Sequence, residues 1–331
     1  MPQTVITAEL LQAIYAAFNT RFLSGMQRGR IVVPTQDSMA KYLVKFNEIA
    51  MNVPSTGESE NHLWLMQIPG FIEWVGDRIV KTLNVSGLRV VNRDFAETIK
   101  LPRNKVEDGQ YGQYSILAEA MGAEGADDAF WLDLILDALM GDDVWGGDGL
   151  PFFSADRKLG NYAINNVIDA AITQARIKTA VETMLSYKGE NGLPLNVVPY
   201  MILTGTSAFW SAKKYLENQA IYDSDSGKAV DNETRGIATA RWHSRLPANA
   251  WYLLGVKGSY MPLCAQRRKE ASALISLVNP TDPNVFFQKE YIYGTDLRGE
   301  GFRGLPFLVI RGSDGNPPAA QGPKGKKGDD K

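Results

Sequence analysis

The stretch GLRVVNRDFAETIKLPRNKVED, residues 87–108, carries strand-like residues together with charges of both signs along almost its whole length. A strand that feeds an ordinary core keeps one of its faces apolar. Two strand-like runs, LWLMQIPGF (63–71) and EWVGDRIVKTL (73–83), precede it, and NVSG (84–87) has the composition of a hairpin turn. The pattern therefore predicts a long, charged, two-stranded ribbon that serves something other than the protein's own interior.

The composition of the whole chain is that of a soluble globular protein. It has 331 residues, 44% of them hydrophobic and 22% charged, and a formal net charge of -2. A dedicated nucleic-acid binder usually carries a strong basic excess, which this chain lacks. No signal peptide or membrane-length apolar run is visible, so we expect a cytoplasmic origin and no membrane partner. The single cysteine, Cys264, excludes an intrachain disulfide and is expected to be buried.

Helical periodicity is clearest in three parts of the chain. Residues 7–26 predict an amphipathic helix, and residues 37–51 predict a second, shorter one, so that the N-terminus resembles an arm. Residues 111–143 predict the longest helix, with a bend or break near Gly122 and Gly125 because glycine weakens a helix interior. The apolar residues of this helix that we expect to be buried are Ile116, Leu117, Met121, Phe130, Leu134 and Leu139.

The second half of the chain alternates further helices with apolar strands. Residues 165–189 predict a helix, whereas 196–205 and 249–256 are short apolar runs typical of buried strands. The last structured part, 290–312, predicts paired strands around glycine turns.

Residues that could support catalysis or metal binding are sparse. The two histidines, His62 in a polar loop and His243, have no nucleophile signature or metal-ligand spacing beside them. The run DSDSGKAVDNET (223–234) resembles a calcium loop, but its glycine comes one residue early and Thr234 occupies the position of the bidentate glutamate. An acidic loop at Asp142, Asp143 and Asp148 is more typical of a turn than of a cation site. We therefore predict no catalytic, cofactor-binding or metal-binding residues.

Several short motifs occur together in a recognisable order. Residues 53–83 (VPSTGESENHLWLMQIPGFIEWVGDRIVKTL) and 92–115 (NRDFAETIKLPRNKVEDGQYGQYS) resemble the major head subunit of Mu-like bacteriophages, the gpT family. Ala96, which intervenes before Glu97, is a small departure from the family's NRDFE-like strand. The resemblance covers roughly residues 30 to 310 and is densest from 52 to 116.

A second motif departs from the family in a more informative way. DGLPFFSADR (148–157) resembles a phenylalanine-pair loop that the family usually continues with His-Pro. Arg157 and Lys158 stand at those positions here, so no role of that histidine carries over to this chain.

The resemblance implies an α+β fold, the tailed-phage major capsid fold of the Hong Kong 97 type. Its parts would be an N-terminal arm (1–50), an extended loop and the start of the peripheral domain (51–112), a spine helix with peripheral domain (113–159), an axial domain (160–275), return strands of the peripheral domain (276–313) and a disordered tail (314–331).

The function that the resemblance implies is that of a major capsid protein. Hexamers and pentamers would assemble into an icosahedral head around double-stranded DNA, in a virion made in the cytoplasm of a bacterial host. The other expected partners are scaffold or protease and portal proteins, decoration proteins, and packaged DNA in non-specific contact. A non-viral, encapsulin-like shell and a hydrolase are the alternatives.

In such a shell the charged ribbon would pack on a neighbouring subunit. An isolated two-stranded ribbon is only marginally stable in water unless it packs on another surface. Aromatic residues would supply affinity to a neighbouring subunit and charges would supply orientation. The predicted interface residues are Trp64, Phe71, Glu73, Trp74, Asp77, Arg78, Arg89, Arg93, Asp94, Arg103, Glu107 and Asp108.

Overall fold

The computed structural model describes residues 5–29, 39–65, 85–125, 127–141, 143–146, 148–223 and 227–312. Among these residues, no helix combines the length and the apolar character needed to cross a membrane. The helices are α1 (Ala8–Arg28), α2 (Phe46–Ile49), α3 (Arg103–Glu107), α4 (Gly112–Glu124), α5 (Asp127–Met140), α6 (Gln174–Ser186), α7 (Ala208–Glu217) and α8 (Pro283–Gln288), with 3-10 turns at Met39–Tyr42 and Pro306–Leu308.

The strands belong to two five-stranded sheets and three small two-stranded ones. In chain order they are β1 (Ala50–Pro54), β2 (Ser59–Leu65), β3 (Val85–Val91), β4 (Arg93–Pro102), β5 (Lys158–Leu159), β6 (Tyr162–Ala163), β7 (Val167–Ile168), β8 (Val198–Thr204), β9 (Ala220–Asp223), β10 (Lys228–Asp231), β11 (Thr239–Trp242), β12 (Trp251–Val256), β13 (Leu263–Lys269), β14 (Ile275–Leu277), β15 (Glu290–Arg303) and β16 (Val309–Gly312).

The first sheet is built around β15, which is 14 residues long. Strand β4 pairs antiparallel with it over ten residues, from Pro102 opposite Glu290 to Arg93 opposite Gly299. Along the other edge of β15, β13 and β14 pair with its second and first halves, and β1 adds to β13 in parallel. The charged strand β4 is therefore part of the protein's own central sheet.

The glycines of β15 lie inside the strand, so the prediction of glycine turns there is wrong. A Cβ on Gly299 would lie 2.4 Å from the ring of Trp131, and one on Gly301 would lie 2.8 Å from the backbone nitrogen of Ile135. These glycines allow α5 to lie directly against the sheet, a close backbone approach that only glycine permits.

Glycine also governs the contact between α1 and α4. A Cβ on Gly25 would lie 2.0 Å from the carbonyl oxygen of Glu119, and one on Gly122 would lie 2.0 Å from that of Phe22. The predicted break in the long helix is confirmed at Gly125, which ends α4. Gly122 is instead the point where two helices touch.

The burial prediction for the long helix is wrong at two positions. Ile116 and Leu117 are 67% and 53% exposed, although Met121, Leu134 and Leu139 are buried as expected. The reason is that α1 covers the stripe of α4 that carries Ala118, Met121 and Gly122, and that Ile116 and Leu117 lie outside this stripe.

The second sheet has the order β11-β8-β12-β16-β7. Strands β8 and β12 confirm the predicted buried strands, and their neighbours pair in both parallel and antiparallel fashion. Helix α6 begins only at Gln174, after Thr173 caps it, so the predicted helix starts too early. Val167 and Ile168, β-branched residues, pair instead with the end of β16.

Two further segments differ from what their local pattern indicates. The predicted helix at 37–51 is divided into a 3-10 turn, the single turn of α2, and β1, because residues 50–54 pair with β13. The run at 223–234, whose polar residues are typical of a solvated loop, contains part of the β9–β10 hairpin. A distant strand overrides the local pattern in the first case, and two neighbouring short segments pair with each other in the second.

The C-terminal part of the chain contributes strands to both sheets. Strand β13, at 263–269, belongs to the first sheet. The last strand, β16, pairs with β12 and β7 in the second sheet, whereas β15 belongs to the first. The final segment thus links the two sheets.

Candidate subunit interface at the root of the ribbon

Strands β2 and β3 form a two-stranded ribbon that includes residues 87–91 of the opening stretch. They pair antiparallel from Ser59 opposite Val91 to Leu65 opposite Val85, and neither has another strand partner among the described residues. For residues 93–102 the ribbon prediction is wrong, because β4 pairs with β15 in the first sheet. The predicted NVSG turn is wrong, because residues 85–87 lie inside β3. The ribbon ends at Asn92, after which β4 enters the first sheet.

A buried polar network joins the root of the ribbon to the first sheet. The Gln266 side chain in β13 is fully buried, and its Nε2 donates to Asn92 Oδ1 at 2.7 Å. Its Oε1 therefore accepts from His62 Nε2, 2.6 Å away, while the His62 ring stacks on Phe302 at 4.9 Å between centroids. Asn92 Nδ2 in turn donates to Ser55 Oγ at 2.8 Å. His62 thus lies in β2, not in the predicted polar loop, and serves this network.

The loop that leads into β2 is closed by one carboxylate. Glu60 Oε1 accepts hydrogen bonds from the backbone nitrogens of Thr56 at 2.6 Å and Gly57 at 2.9 Å, and from Ser55 Oγ at 3.2 Å. These bonds, first of all those from the two backbone amides, lower the pKa of the Glu60 carboxyl. The charged form of Glu60 therefore holds the root of the ribbon.

The charges at the junction of β3 and β4 have partners within the chain. Arg93 forms a two-pronged ion pair with Glu300 of β15, in which Nη2 donates to Oε1 at 2.7 Å, and this bonding raises the pKa of Arg93. Asp94 lies 3.3 Å from Arg298, although its own side chain remains largely exposed. Arg89 is exposed on the ribbon. Arg93 and Asp94, two of the three predicted interface charges in this region, therefore have ion-pair partners within the chain.

The other predicted interface charges that the structure describes, Arg103, Glu107 and Asp108, lie away from the root of the ribbon. Arg103 pairs with Glu107 inside α3, with Nε and Oε1 3.0 Å apart, and Asp108 caps the end of that helix. Strand β4 separates them from Arg93 by ten residues, roughly 30 Å of extended chain. Trp64 lies in β2, opposite Ser86. The other predicted interface residues lie outside the described residues: Phe71, Glu73, Trp74, Asp77 and Arg78.

A cleft of about 400 Å³ runs beside the ribbon root. Its walls are β3, the end of α5, the segment around 141–145 and the end of β15. The positive and negative side chains that line the cleft are equal in number. Asp143 lies 2.5 Å from Arg303, and Asp137 pairs with Arg245. The charged lining residues are Arg89, Arg93, Arg303, Asp137, Asp143 and Glu300.

The phenylalanine-pair loop is organised by Arg157, whose side chain is 1% exposed. Its guanidinium binds the carboxylate of Asp148 and donates to the carbonyl oxygens of Phe152 at 2.7 Å and Pro151 at 2.9 Å. A buried arginine of this kind is stable only when paired and hydrogen-bonded. Asp148 is thus an ion-pair partner, and among the described residues no cluster of three metal-ligating side chains occurs.

Sequence reasoning missed the residues that anchor the ribbon, namely Glu300, Gln266 and Phe302. Glu300 is 207 residues away from Arg93 along the chain, and no local pattern marks it as a partner. The one available signal was Asn92, a polar residue between two strand-like runs, which suggests a junction with side-chain hydrogen bonds.

The chain is similar to known proteins in both sequence and structure. The family model described as Mu-like prophage major head subunit gpT matches residues 11–171 and 222–314. The Mu-like prophage FluMu major head subunit of Haemophilus influenzae is 26% identical over 304 residues, which are 90% of this chain and 72% of that protein.

Two similar solved structures come from bacteriophage JBD30. Its procapsid superposes with a TM-score of 0.50 at 23% identity, covering 93% of this chain and 76% of that chain. Its capsid decorated with minor capsid protein trimers gives a TM-score of 0.54 at 17% identity, covering 74% and 100%. At identities of 17% and 23% the similarity is evidence for the fold alone, and it confirms the predicted α+β capsid fold.

Proposed function

The chain belongs to the Mu-like prophage major head subunit gpT family, and from this premise we propose that its copies assemble as hexamers and pentamers into an icosahedral shell around double-stranded DNA. Membership of a head-subunit family favours a viral head over a non-viral compartment. It also favours a structural role over the hydrolase alternative, since the phage head is built from this subunit.

The observation that carries the assembly proposal is the ribbon. These two strands have no third strand partner among the described residues, and a buried network fixes their root to the first sheet. A two-stranded ribbon on a fixed root suits a segment that packs on a second copy. The predicted interface residues, from Trp64 to Asp108, remain the proposed contacts.

The outer side of α4 is a suitable surface for such a neighbour. Ile116 and Leu117 are exposed there, outside the stripe that α1 covers. Adjacent apolar side chains without cover are typical of a contact surface. We therefore infer that a second copy covers Ile116 and Leu117 in the shell.

The remaining proposals concern the layout and the other partners. Residues 1–50 would act as an arm, 113–159 as the spine region, and most of 160–275 as the axial domain near the capsomer centre. A net charge of -2 suits a shell that contacts DNA only loosely, because strong phosphate neutralisation would cause salt-dependent adhesion. Scaffold or protease, portal and decoration proteins would complete a virion that is made in the host cytoplasm.

Negative-stain electron microscopy, with light scattering, of the purified full-length protein tests the proposal. We expect rings of five or six subunits, or closed shells. A monodisperse monomer or dimer at every salt concentration, and also in the presence of the other head proteins, would contradict it.

A further inference from the structure

Helix α8 and strand β14 expose an apolar surface, the α8–β14 patch, which consists of Ile275, Leu277, Phe286 and Phe287. Phe286 and Phe287 are 72% and 78% exposed, and their rings contact each other edge to face at 5.0 Å. Ile275 and Leu277, two residues apart on β14, are also exposed. Two adjacent phenylalanines with so little cover are unusual on a free surface, where scattered single apolar residues are the norm.

The patch is held rigidly by buried hydrogen bonds. Asn284, which is buried, donates through Nδ2 to the carbonyl oxygens of Leu277 at 3.0 Å and Glu290 at 2.7 Å, so α8 is tied to both strands. Tyr15 and Asn19 of α1 bind the backbone of Leu274, just before β14. The exposure of the phenylalanines is therefore a property of a fixed structure.

The edge of β14 carries no charged protection. Its single strand partner among the described residues is β15, and residues 271–280 (ASALISLVNP) contain no charged residue, although β14 itself is only three residues long. Lysine and other charges are one means by which natural edge strands avoid pairing with another chain. An uncharged edge beside exposed aromatic residues favours contact with another protein surface.

We propose that the α8–β14 patch binds the same patch of a second copy across a symmetry axis of the shell, as a contact between capsomers. Because the patch carries no charge, two copies of it can meet without like-charge repulsion, as a self-complementary contact requires. The inference rests on the proposed function and specifies one of its subunit contacts.

The position of the patch explains why the contact would join capsomers. It lies beside the start of β15, roughly 40 Å along that strand from the point where the chain enters the second sheet. With residues 160–275 near the capsomer centre, the patch would lie at the rim, where neighbouring capsomers meet.

The size of the patch fits a contact that acts only in a shell. Its four side chains expose on the order of 500 Å² of apolar surface, less than the roughly 800 Å² per partner of a typical stable complex. Such a contact is weak in a pair but effective when closure of the shell repeats it many times.

Site-directed crosslinking tests which surfaces meet. Phe287→Cys places a thiol in the patch, while the native Cys264 is fully buried and burial raises the pKa of its thiol to about 12, so it stays unreactive. Particles are purified from bacteria that express the chain with the other head proteins, and are treated with a short bismaleimide. We expect a covalent dimer from Phe287→Cys and none from the control Tyr222→Cys, a position 69% exposed on β9.

The outcomes separate this inference from the proposed function. Particles in which the Phe287→Cys subunits stay monomeric, and in which the introduced thiol is labelled freely by a maleimide dye, would overturn the inference, as would equal dimer formation by the control. Absence of particles from the unmodified chain under the same conditions would instead contradict the proposed function itself.

A second pair of variants covers the case in which Phe287→Cys prevents assembly. Phe286→Ser with Phe287→Ser should leave the subunit folded, because both rings are exposed, and should yield free rings of subunits without closed shells. Tyr222→Ser should yield normal shells. Normal shells from the double variant, or loss of its folded circular dichroism spectrum, would overturn the inference.

Discussion

Strands β3 and β4 follow each other with a single residue between them, yet they have different surroundings. Among the residues that the structure describes, β3 pairs with β2 alone, in the ribbon, whereas β4 pairs over ten residues with β15 in the central sheet. Both strands carry charges, and both look alike in the sequence. The difference shows that charge along a strand does not by itself identify a segment that leaves the body of the protein.

The switch between the two environments occurs at Asn92. Its side chain is buried and connects the ribbon to Gln266 of the sheet and to Ser55 of the preceding loop. Buried amides must have hydrogen-bond partners, so this arrangement fixes the direction in which the chain passes from ribbon to sheet.

Gly299→Ala should destabilise the sheet side most strongly. The new methyl group would lie 2.2 Å from the carbonyl oxygen of Gln266 and 2.4 Å from the Trp131 ring. We expect a loss of about 3 kcal/mol or more in the free energy of unfolding, measured by urea unfolding of the unassembled subunit. The control is Gly112→Ala, where nothing lies within 4 Å of the new methyl group, and stability comparable to the parent chain in both variants would show that α5 does not press on β15.

Gln266→Leu should release the ribbon while β4 stays paired. The change leaves Asn92 Oδ1 and His62 Nε2 without their partner, and each unsatisfied buried group costs about 1–3 kcal/mol. Hydrogen exchange should show lost amide protection in β2 and β3 and retained protection in β4. The exposed Gln219→Leu serves as control, and equal loss of protection in all three strands would mean that the network supports the whole sheet.

Arg93→Glu should weaken the fold by only about 1 kcal/mol, because the pair with Glu300 is partly exposed, but it should impair shell assembly. Asp94→Arg should likewise impair assembly while leaving the subunit folded. Normal shells from both single variants, seen by electron microscopy, would remove these residues from the predicted interface.

The exchange of both charges, Arg93→Glu with Glu300→Arg, separates the two roles of Arg93. It restores the pair within the chain, so unfolding should return to that of the parent. If Arg93 also orients a neighbouring copy, assembly should stay impaired. Full recovery of shells would assign Arg93 to the sheet alone.

Acid should loosen the ribbon root through Glu60, with a smaller effect than any of these single substitutions. The pKa of this carboxyl is lowered by the amides of Thr56 and Gly57, so its stabilising contribution is present above the ordinary glutamate pKa and is lost as pH falls through the lowered value. The amide chemical shifts of Thr56 and Gly57 should follow this titration as the pH falls below the ordinary glutamate pKa of about 4.3. Glu60→Gln should remove that titration, and its persistence would assign the change to another group.

The features that depend on near neighbours in the chain were predictable. Helix α1 with its buried stripe, the buried strands β8 and β12, the break at Gly125 and the buried Cys264 all follow from local pattern and composition. The family resemblance, which rests on short motifs in order, gave the fold and the head-subunit identity. The existence of a charged ribbon also followed from the sequence, although its extent did not.

Several of the features that were mispredicted depend on distant partners. The predicted helix at 37–51 is divided because β1 pairs with β13. The glycines of β15 lie inside a strand, where α5 packs on them. Ile116 is exposed because α1 covers only one side of α4. A local pattern cannot contain this information, since each partner lies far away in the chain.

The sequence by itself determined which segments prefer helix or strand, that the chain has a large apolar core, and which family it resembles, because propensity, periodicity and short motifs are local properties. Only the tertiary structure decided which charged strand belongs to the sheet and which to the ribbon. That choice depends on hydrogen bonds and ion pairs between residues about 200 positions apart, such as Arg93 with Glu300 and His62 with Gln266. Such pairs stabilise the protein only when folding of the whole chain has brought the two residues together.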